Sequence, residues 1–190
     1  GSIIPSTDQE DDPPLLPMKI IGPEEVHSAL SYPALVDSLQ ETFSGEFNMP
    51  PRNVFLLDED AESHDAFAVL PSWNTDLIGV KAFTYFPVNS TPYKSLYSKI
   101  LLFDRAHGEP LALVDGTTVT FWRTAGISGL ATRLLAREDA ESLLLLGTGN
   151  LSKYIIRANA SVRPLKRVMV WGRTPSNAEQ VVAEMSPELD

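Results

Sequence analysis

The stretch Leu143-Leu144-Leu145-Leu146-Gly147-Thr148-Gly149-Asn150-Leu151-Ser152 decides the fold. Ser142 to Leu146 is a short apolar run that reads as a buried strand. A G-x-G turn follows it, and then a segment of helical character to about Ser161. Strand, glycine turn and helix in that order form a dinucleotide turn. Gly147 permits the tight turn, and Gly149 lets backbone amides approach a pyrophosphate at the helix N-terminus. Ser152 stands where the third glycine of the usual pattern falls, and it is small enough for close helix–strand packing. A lone G-x-G is weak; its seat between a buried strand and a helix strengthens it. The competing reading is a plain strand–helix turn without a ligand, and the position favours the nucleotide.

Downstream, Arg167–Trp171 reads as a second strand and Pro175 to Met185 as a final helix. Strand, turn, helix, strand, helix is the first βαβα part of a Rossmann-type parallel unit. An acid near the end of the second strand would bond the ribose 2′-hydroxyl of NAD. Here the strand ends Val170-Trp171-Gly172-Arg173-Thr174, with no acid. Arg173 suits a 2′-phosphate, which a guanidinium can grip with two hydrogen bonds, and the Thr174 hydroxyl can add another. NADP(H) is therefore favoured, with NAD(H) as the alternative. The competing reading of Arg173 is a solvated surface side chain.

Upstream, Thr117 to Ala136 reads as a long helix capped by Thr117 or Thr118, with Phe121, Ile127, Leu130, Leu134 and Leu135 as its apolar faces. Between Asn53 and Asp115 the texture is that of strands: Asn53–Leu57, Ala66–Leu70, Leu77–Tyr85, Ser98–Phe103 and Leu111–Val114. The turn Asp104 to Pro110 makes a hairpin of the last two. Two helices precede them. One opens at Pro23 with Val26 and Leu30 on one face; the other opens at Pro33, carries Leu35, Leu39 and Phe43, and ends at Gly45. This part reads as α+β with a mixed, largely antiparallel sheet. The expected division is a disordered leader or tag over 1–17, a substrate-binding and dimerisation domain over 18–116, and a connecting helix with a partial, C-terminally truncated nucleotide domain over 117–190.

Composition excludes several classes. The 190 residues contain no cysteine, so there is no disulfide framework, thiolate metal site or cysteine nucleophile. A net charge of −10 argues against a nucleic-acid surface. Asp8, Glu10, Asp11 and Asp12 of the leader supply four of those charges. No apolar run is long enough for a membrane span, and no signal peptide is visible, so a cytoplasmic location is expected. His27, His64 and His107 lack metal-ligand spacing, and no metal is expected. Ser128 lies inside the long helix, without a nucleophile elbow. Asp58 to Glu62 reads as a solvated acidic loop. Trp73, Trp122 and Trp171 read as core or interface residues.

Several ordered stretches carry a resemblance. They are Gly79-Val80-Lys81, Phe86-Pro87-x-Asn89, Leu102-Phe103-Asp104, Gly108-x-Pro110-Leu111-Ala112-Leu113, Asp115-Gly116, Arg123-Thr124-Ala125, Leu135 to Ala140 and Leu146 to Gly149. Together, from about Met18 to the end, they resemble the ornithine cyclodeaminase/mu-crystallin family. That resemblance implies a homodimeric enzyme acting on a small amino or imino acid. It implies Arg52, Lys81 and Arg123 as substrate-binding residues, with Lys81 also catalytic. The cofactor-binding candidates are Thr124, Gly147, Thr148, Gly149, Asn150, Leu151, Arg173 and Thr174. Two guanidiniums can clamp a carboxylate, which fits such a substrate. The family's catalytic aspartate is expected beyond Asp190, and Asp104, Asp115 and Asp139 do not replace it. The loop Ser90 to Tyr97 lacks the family's usual glycines. Three functions stay open: an NADPH-linked imine (ketimine or pyrroline-carboxylate) reductase or amino-acid dehydrogenase, an ornithine cyclodeaminase, and a binding or dimerisation module without turnover.

Overall fold

A computed structural model describes residues 17–58 and 64–189. Nearly all of the leader and most of the acidic run after Asp58 lie outside those residues. The element order is β1 (Lys19–Ile21), α1 (Pro23–Ala29), α2 (Tyr32–Ser44), β2 (Asn53–Leu56), β3 (Ala66–Trp73), β4 (Leu77–Tyr85), β5 (Leu96–Asp104), β6 (Pro110–Asp115), α3 (Gly116–Leu135), β7 (Ser142–Leu146), α4 (Ser152–Ala160), β8 (Arg167–Trp171) and α5 (Pro175–Leu189). Six strands form one sheet in the order β1-β6-β5-β4-β3-β2, and β7 pairs with β8 in a second sheet. Neighbours from β2 to β6 are antiparallel, while β1–β6 and β7–β8 are parallel. The expected mixed, largely antiparallel sheet followed by a Rossmann-type βαβα unit is the observed architecture.

Period-two alternation sorts the large sheet into two faces. One face presents Ile21, Ile100, Leu102, Ala112 and Val114, which pack with Val26 and Leu30 near α1 and with Val119 and Trp122 of α3. The other face presents Phe55, Phe67, Val69, Val80, Leu101 and Leu113, and the helices lie on the opposite side. In the small sheet, Leu143, Leu145, Val168 and Val170 pack against Ile156, Val181 and Met185 of α4 and α5. The alternate residues Leu144, Leu146, Met169 and Trp171 are exposed.

Several expectations need correction. Asp115, not Thr117 or Thr118, caps α3: its carboxylate accepts the Thr118 N–H at 2.9 Å. A carboxylate at that site also meets the helix dipole, which a hydroxyl does not. Leu130 is buried as expected, but Ile127, Leu134 and Leu135 are exposed, and the rest of the buried face around Leu130 is Ala125, Gly126 and Gly129. A Cβ on Gly126 would come within 2.9 Å of Leu39, and one on Gly129 within 3.0 Å of the Ala158 carbonyl. Close helix approach, not bulk, makes this core. Phe43 is likewise exposed, and Val36 fills the centre of α2. Trp171 is 59% exposed, so of the two places expected for it, core or interface, the core is excluded. Strand β1 has only three residues and no alternation long enough to reveal it. The last helix continues through Pro187 to Leu189.

Candidate active site

Lys81 lies in the middle of β4, laddered to Leu70 of β3 and Ile100 of β5. Its side chain points to the face that α3 covers. There its ammonium donates to Thr120 Oγ1 at 2.6 Å, and the Thr120 hydroxyl donates to the Gly116 carbonyl, also at 2.6 Å. The Phe83 ring centroid is 5.7 Å from Lys81 Nζ, within reach of a cation–π contact. Partial burial lowers the Lys81 pKa, and the charge of Arg123 lowers it further. Arg123 is exposed and follows Thr120 by three residues, on the same side of α3, within reach for its charge to act on Lys81. The structure therefore brings Lys81 and Arg123 together. Arg52 precedes β2 and is exposed. Continuing the β2–β3 register by one residue sets it across from Leu70, about 10 Å from Lys81 in the same row.

The helix end that carries this cluster is tightly fixed. The Thr117 hydroxyl accepts the Ser98 N–H at 3.2 Å, and Lys99 pairs with Asp115 at 3.2 Å. A Cβ on Gly116 would sit 2.4 Å from Ser98 Oγ, so only glycine lets α3 start this close to β5.

The glycine turn lies at the C-terminal edge of β7. Gly147 has φ +128°, a region that favours glycine, and its N–H donates to the Trp171 carbonyl at 2.8 Å. That bond sets the turn beside Gly172-Arg173-Thr174. Thr148 packs against Gly172, where a Cβ would come within 2.6 Å of it. A Cβ on Gly149 would meet nothing within 4 Å, so internal packing does not demand glycine there. Ser152 closes the turn through its hydroxyl to the Gly149 carbonyl at 2.6 Å. Thr148, Gly149 and Asn150 line a hollow together with Asn177 and Gln180 of α5. An open glycine turn with accessible backbone ahead of α4 fits a pyrophosphate. Arg173 and Thr174 are exposed beside it, and Arg173 makes no ion pair among the described residues. Leu151 is the residue ahead of α4, and Thr124 is partly buried one residue past Arg123.

Sequence reasoning missed Thr120. Its position three residues before Arg123 on a helix was the available signal. It also passed over His27, whose Nδ1 accepts the Trp122 indole N–H at 2.9 Å and whose ring stacks near Tyr154 of α4. Ser128 proved structural: its hydroxyl accepts from Asn159 of α4 at 3.2 Å. Among the described residues no His, Asp or Glu cluster could hold a metal, and no helix is long and apolar enough to cross a membrane.

A basic cluster on a largely antiparallel sheet, joined by one helix to a strand–G-x-G–helix unit, defines an α/β protein with a Rossmann-type part. The chain belongs to the ornithine cyclodeaminase/mu-crystallin family, which its residues 19–189 match. It is 51% identical over 172 residues to a Delta(1)-pyrroline-2-carboxylate reductase of Colwellia psychrerythraea, covering 89% of this chain and 54% of that protein. It is 36% identical over 163 residues to a protein of the same name from Bacillus cereus, covering 84% and 48%. Among solved structures it resembles the Thermococcus litoralis Delta(1)-pyrroline-2-carboxylate reductase in complex with NADH and L-proline, with a TM-score of 0.80, 27% identity, and coverage of 90% of this chain and 55% of that one. An archaeal alanine dehydrogenase dimer with bound NAD shares the fold, with a TM-score of 0.81 at 23% identity, over 90% of this chain and 53% of that one. The chain spans about half the length of the curated relatives it matches.

Proposed function

We propose that this chain supplies the substrate pocket and the cofactor turn of an NAD(P)-dependent imino-acid reductase, with a cyclic imine carboxylate such as Delta(1)-pyrroline-2-carboxylate as substrate. The proximity of Lys81 and Arg123 carries the reading, in a chain half identical to a reductase of that name. A 2-imino acid presents a carboxylate next to a C=N bond. Arg123 and Arg52 hold the carboxylate, and Lys81 stands near the imine nitrogen. Reduction adds a hydride to the imine carbon and a proton to the nitrogen. A nicotinamide held at the glycine turn would supply the hydride, and Lys81 would supply the proton, its lowered pKa making it a better donor near neutral pH.

For the cofactor, the residues that would hold it are the backbone from Gly147 to Leu151 with Thr124 nearby, and Arg173 and Thr174 beside the turn. Arg173 at the end of β8, with no acid there, favours NADP(H) over NAD(H). The Thermococcus litoralis reductase was solved with NADH and the archaeal alanine dehydrogenase with NAD, which keeps NAD(H) as the alternative. Fluorescence titration with both cofactors tests this. NADPH is expected to bind more tightly, Arg173→Ala is expected to cost NADPH roughly tenfold or more and to spare NADH, and tighter NADH binding in the parent chain overturns the preference.

We further propose a substrate and dimerisation unit over 18–116 and a nucleotide unit over 117–190. Among the described residues no helix covers the sheet face that carries Phe55, Phe67, Val80 and Leu101, and an apolar sheet face left without a cover supports a homodimer. Turnover is tested with Delta(1)-pyrroline-2-carboxylate and each reduced cofactor, reading proline formation. Ornithine cyclodeamination is the second reading, because the family name includes it; proline and ammonia from ornithine alone would favour it. If neither reaction occurs while L-proline still binds, the chain is a binding module.

A further inference from the structure

We infer that Thr120 is a positioning residue that holds the Lys81 side chain against the first turn of α3 and aims it at the substrate. The inference rests on the substrate-pocket reading of Lys81, and it concerns a residue that this reading leaves without a role.

The geometry is a two-step relay. Lys81 Nζ lies 2.6 Å from Thr120 Oγ1, and Thr120 Oγ1 lies 2.6 Å from the Gly116 carbonyl oxygen. A carbonyl can only accept, and a threonine hydroxyl has one hydrogen. The Thr120 hydrogen is therefore committed to Gly116, and its lone pairs face Lys81. An oxygen so committed can only accept from Lys81. One of the three ammonium N–H bonds is thereby fixed, and two are left for a ligand. The relay is anchored where the structure has least freedom. Gly116 is the first residue of α3 and is pressed against Ser98, and the Asp115 carboxylate holds the Thr118 N–H. Lys81 otherwise ends a flexible four-carbon stem, which is costly to order. Its ladder partners Leu70 and Ile100 carry no charge, so neither can orient it. Arg123 repels it, and Phe83 offers only a ring face. Thr120 is the hydrogen-bond acceptor the structure gives it.

The interaction also has a sign. Burial and Arg123 both drive Lys81 toward the neutral amine. An acceptor-only oxygen favours the ammonium form, so Thr120 opposes that drive and keeps the proton available.

The test is an NMR titration of the Lys81 side chain in the intact 190-residue chain, compared with Thr120→Val and Thr120→Ser. Midpoints are read without ligand and again with L-proline. Without ligand, Thr120→Val is expected to lower the Lys81 midpoint by about one pH unit, a tenfold rise in the neutral fraction. Thr120→Ser restores the hydroxyl and is expected to restore the midpoint. Thr120→Ala serves as a second variant of the same sign if valine impairs folding. An unchanged midpoint in Thr120→Val or Thr120→Ala overturns the inference, and so does an equal fall in Thr120→Ser. The L-proline arm keeps the two readings apart. A ligand-free shift with no response to L-proline in the parent chain leaves the relay standing and removes the substrate pocket.

Discussion

Lys81 shows how little a residue's identity says without its surroundings. A lysine within a strand is ordinarily a surface charge. Here Arg123 pushes on the same proton that burial already loosens. Replacing Arg123 with methionine removes a like charge, so the Lys81 midpoint should rise, while L-proline binding should weaken at least about tenfold through loss of a charged hydrogen bond. Side-chain NMR and calorimetry read the two effects on one sample; a fall in the midpoint contradicts the placement. Gly116 makes a sharper claim. Alanine there would drive a methyl into Ser98 Oγ and the β5 backbone, which cannot retreat without breaking its ladder. We expect a loss of about 1–3 kcal/mol in urea unfolding, as for other overpacked sites. A change within about 0.5 kcal/mol would mean that α3 can slide.

Among the elements, α3 holds the site together, and Asp115 holds α3. Burial alone would raise the Asp115 pKa, but the N–H and hydroxyl of Thr118 and the Lys99 ammonium outweigh burial and hold it below the usual carboxylate value. The unfolded chain therefore takes up the proton first as pH falls. The cap's contribution is complete above about pH 5 and disappears as pH drops through the folded value. Asp115→Ala should cost about 1 kcal/mol at pH 7, and its stability should converge on the parent's in acid. Parallel melting curves from pH 7 to pH 3 check this; a gap that stays constant rules it out. The same helix explains what the sequence could reveal. Strands β4, β7 and β8 were legible to the residue, because apolar runs between Gly, Pro, Asn and Asp have little choice. The α3 cap was misread because Asp, Gly and two threonines adjoin, and only the sheet contact decides among them. Its exposed Leu134 and Leu135 misled because hydropathy favours bulk, whereas the actual seam runs through Ala125, Gly126 and Gly129.

At the scale of the molecule, the glycine turn and the basic residues could each be picked out of the sequence as candidates, but the packing that gathers the basic cluster could not. The glycine turn is a local pattern and could be read directly. The approach of Thr120 and Arg123 to Lys81 depends on packing between residues about forty positions apart, which no spacing rule encodes. The side of the six-stranded sheet that no helix covers among the described residues leads to a prediction at this scale. Phe67 lies in it, stacked with Phe55 at 6.3 Å. If that face pairs two copies, Phe67→Lys should shift the chain toward monomer in sedimentation, with helix and strand content unchanged by circular dichroism. A parent chain that sediments as a monomer at every concentration would refute the pairing.

Twenty residues of unbroken helix measure about 30 Å. Along α3, Thr120 faces the large sheet and Gly129 touches Ala158 of α4. Nine residues at about 100° each come to two and a half turns, so the two contacts lie on opposite sides of one rod. A rod gripped on opposite sides transmits torque. If α4 and its glycine turn rotate about that axis, Lys81's tether must rotate with them, because no joint lies between. In the proposed reductase, the basic cluster and the glycine turn would then be kept in step by an axle rather than by a hinge.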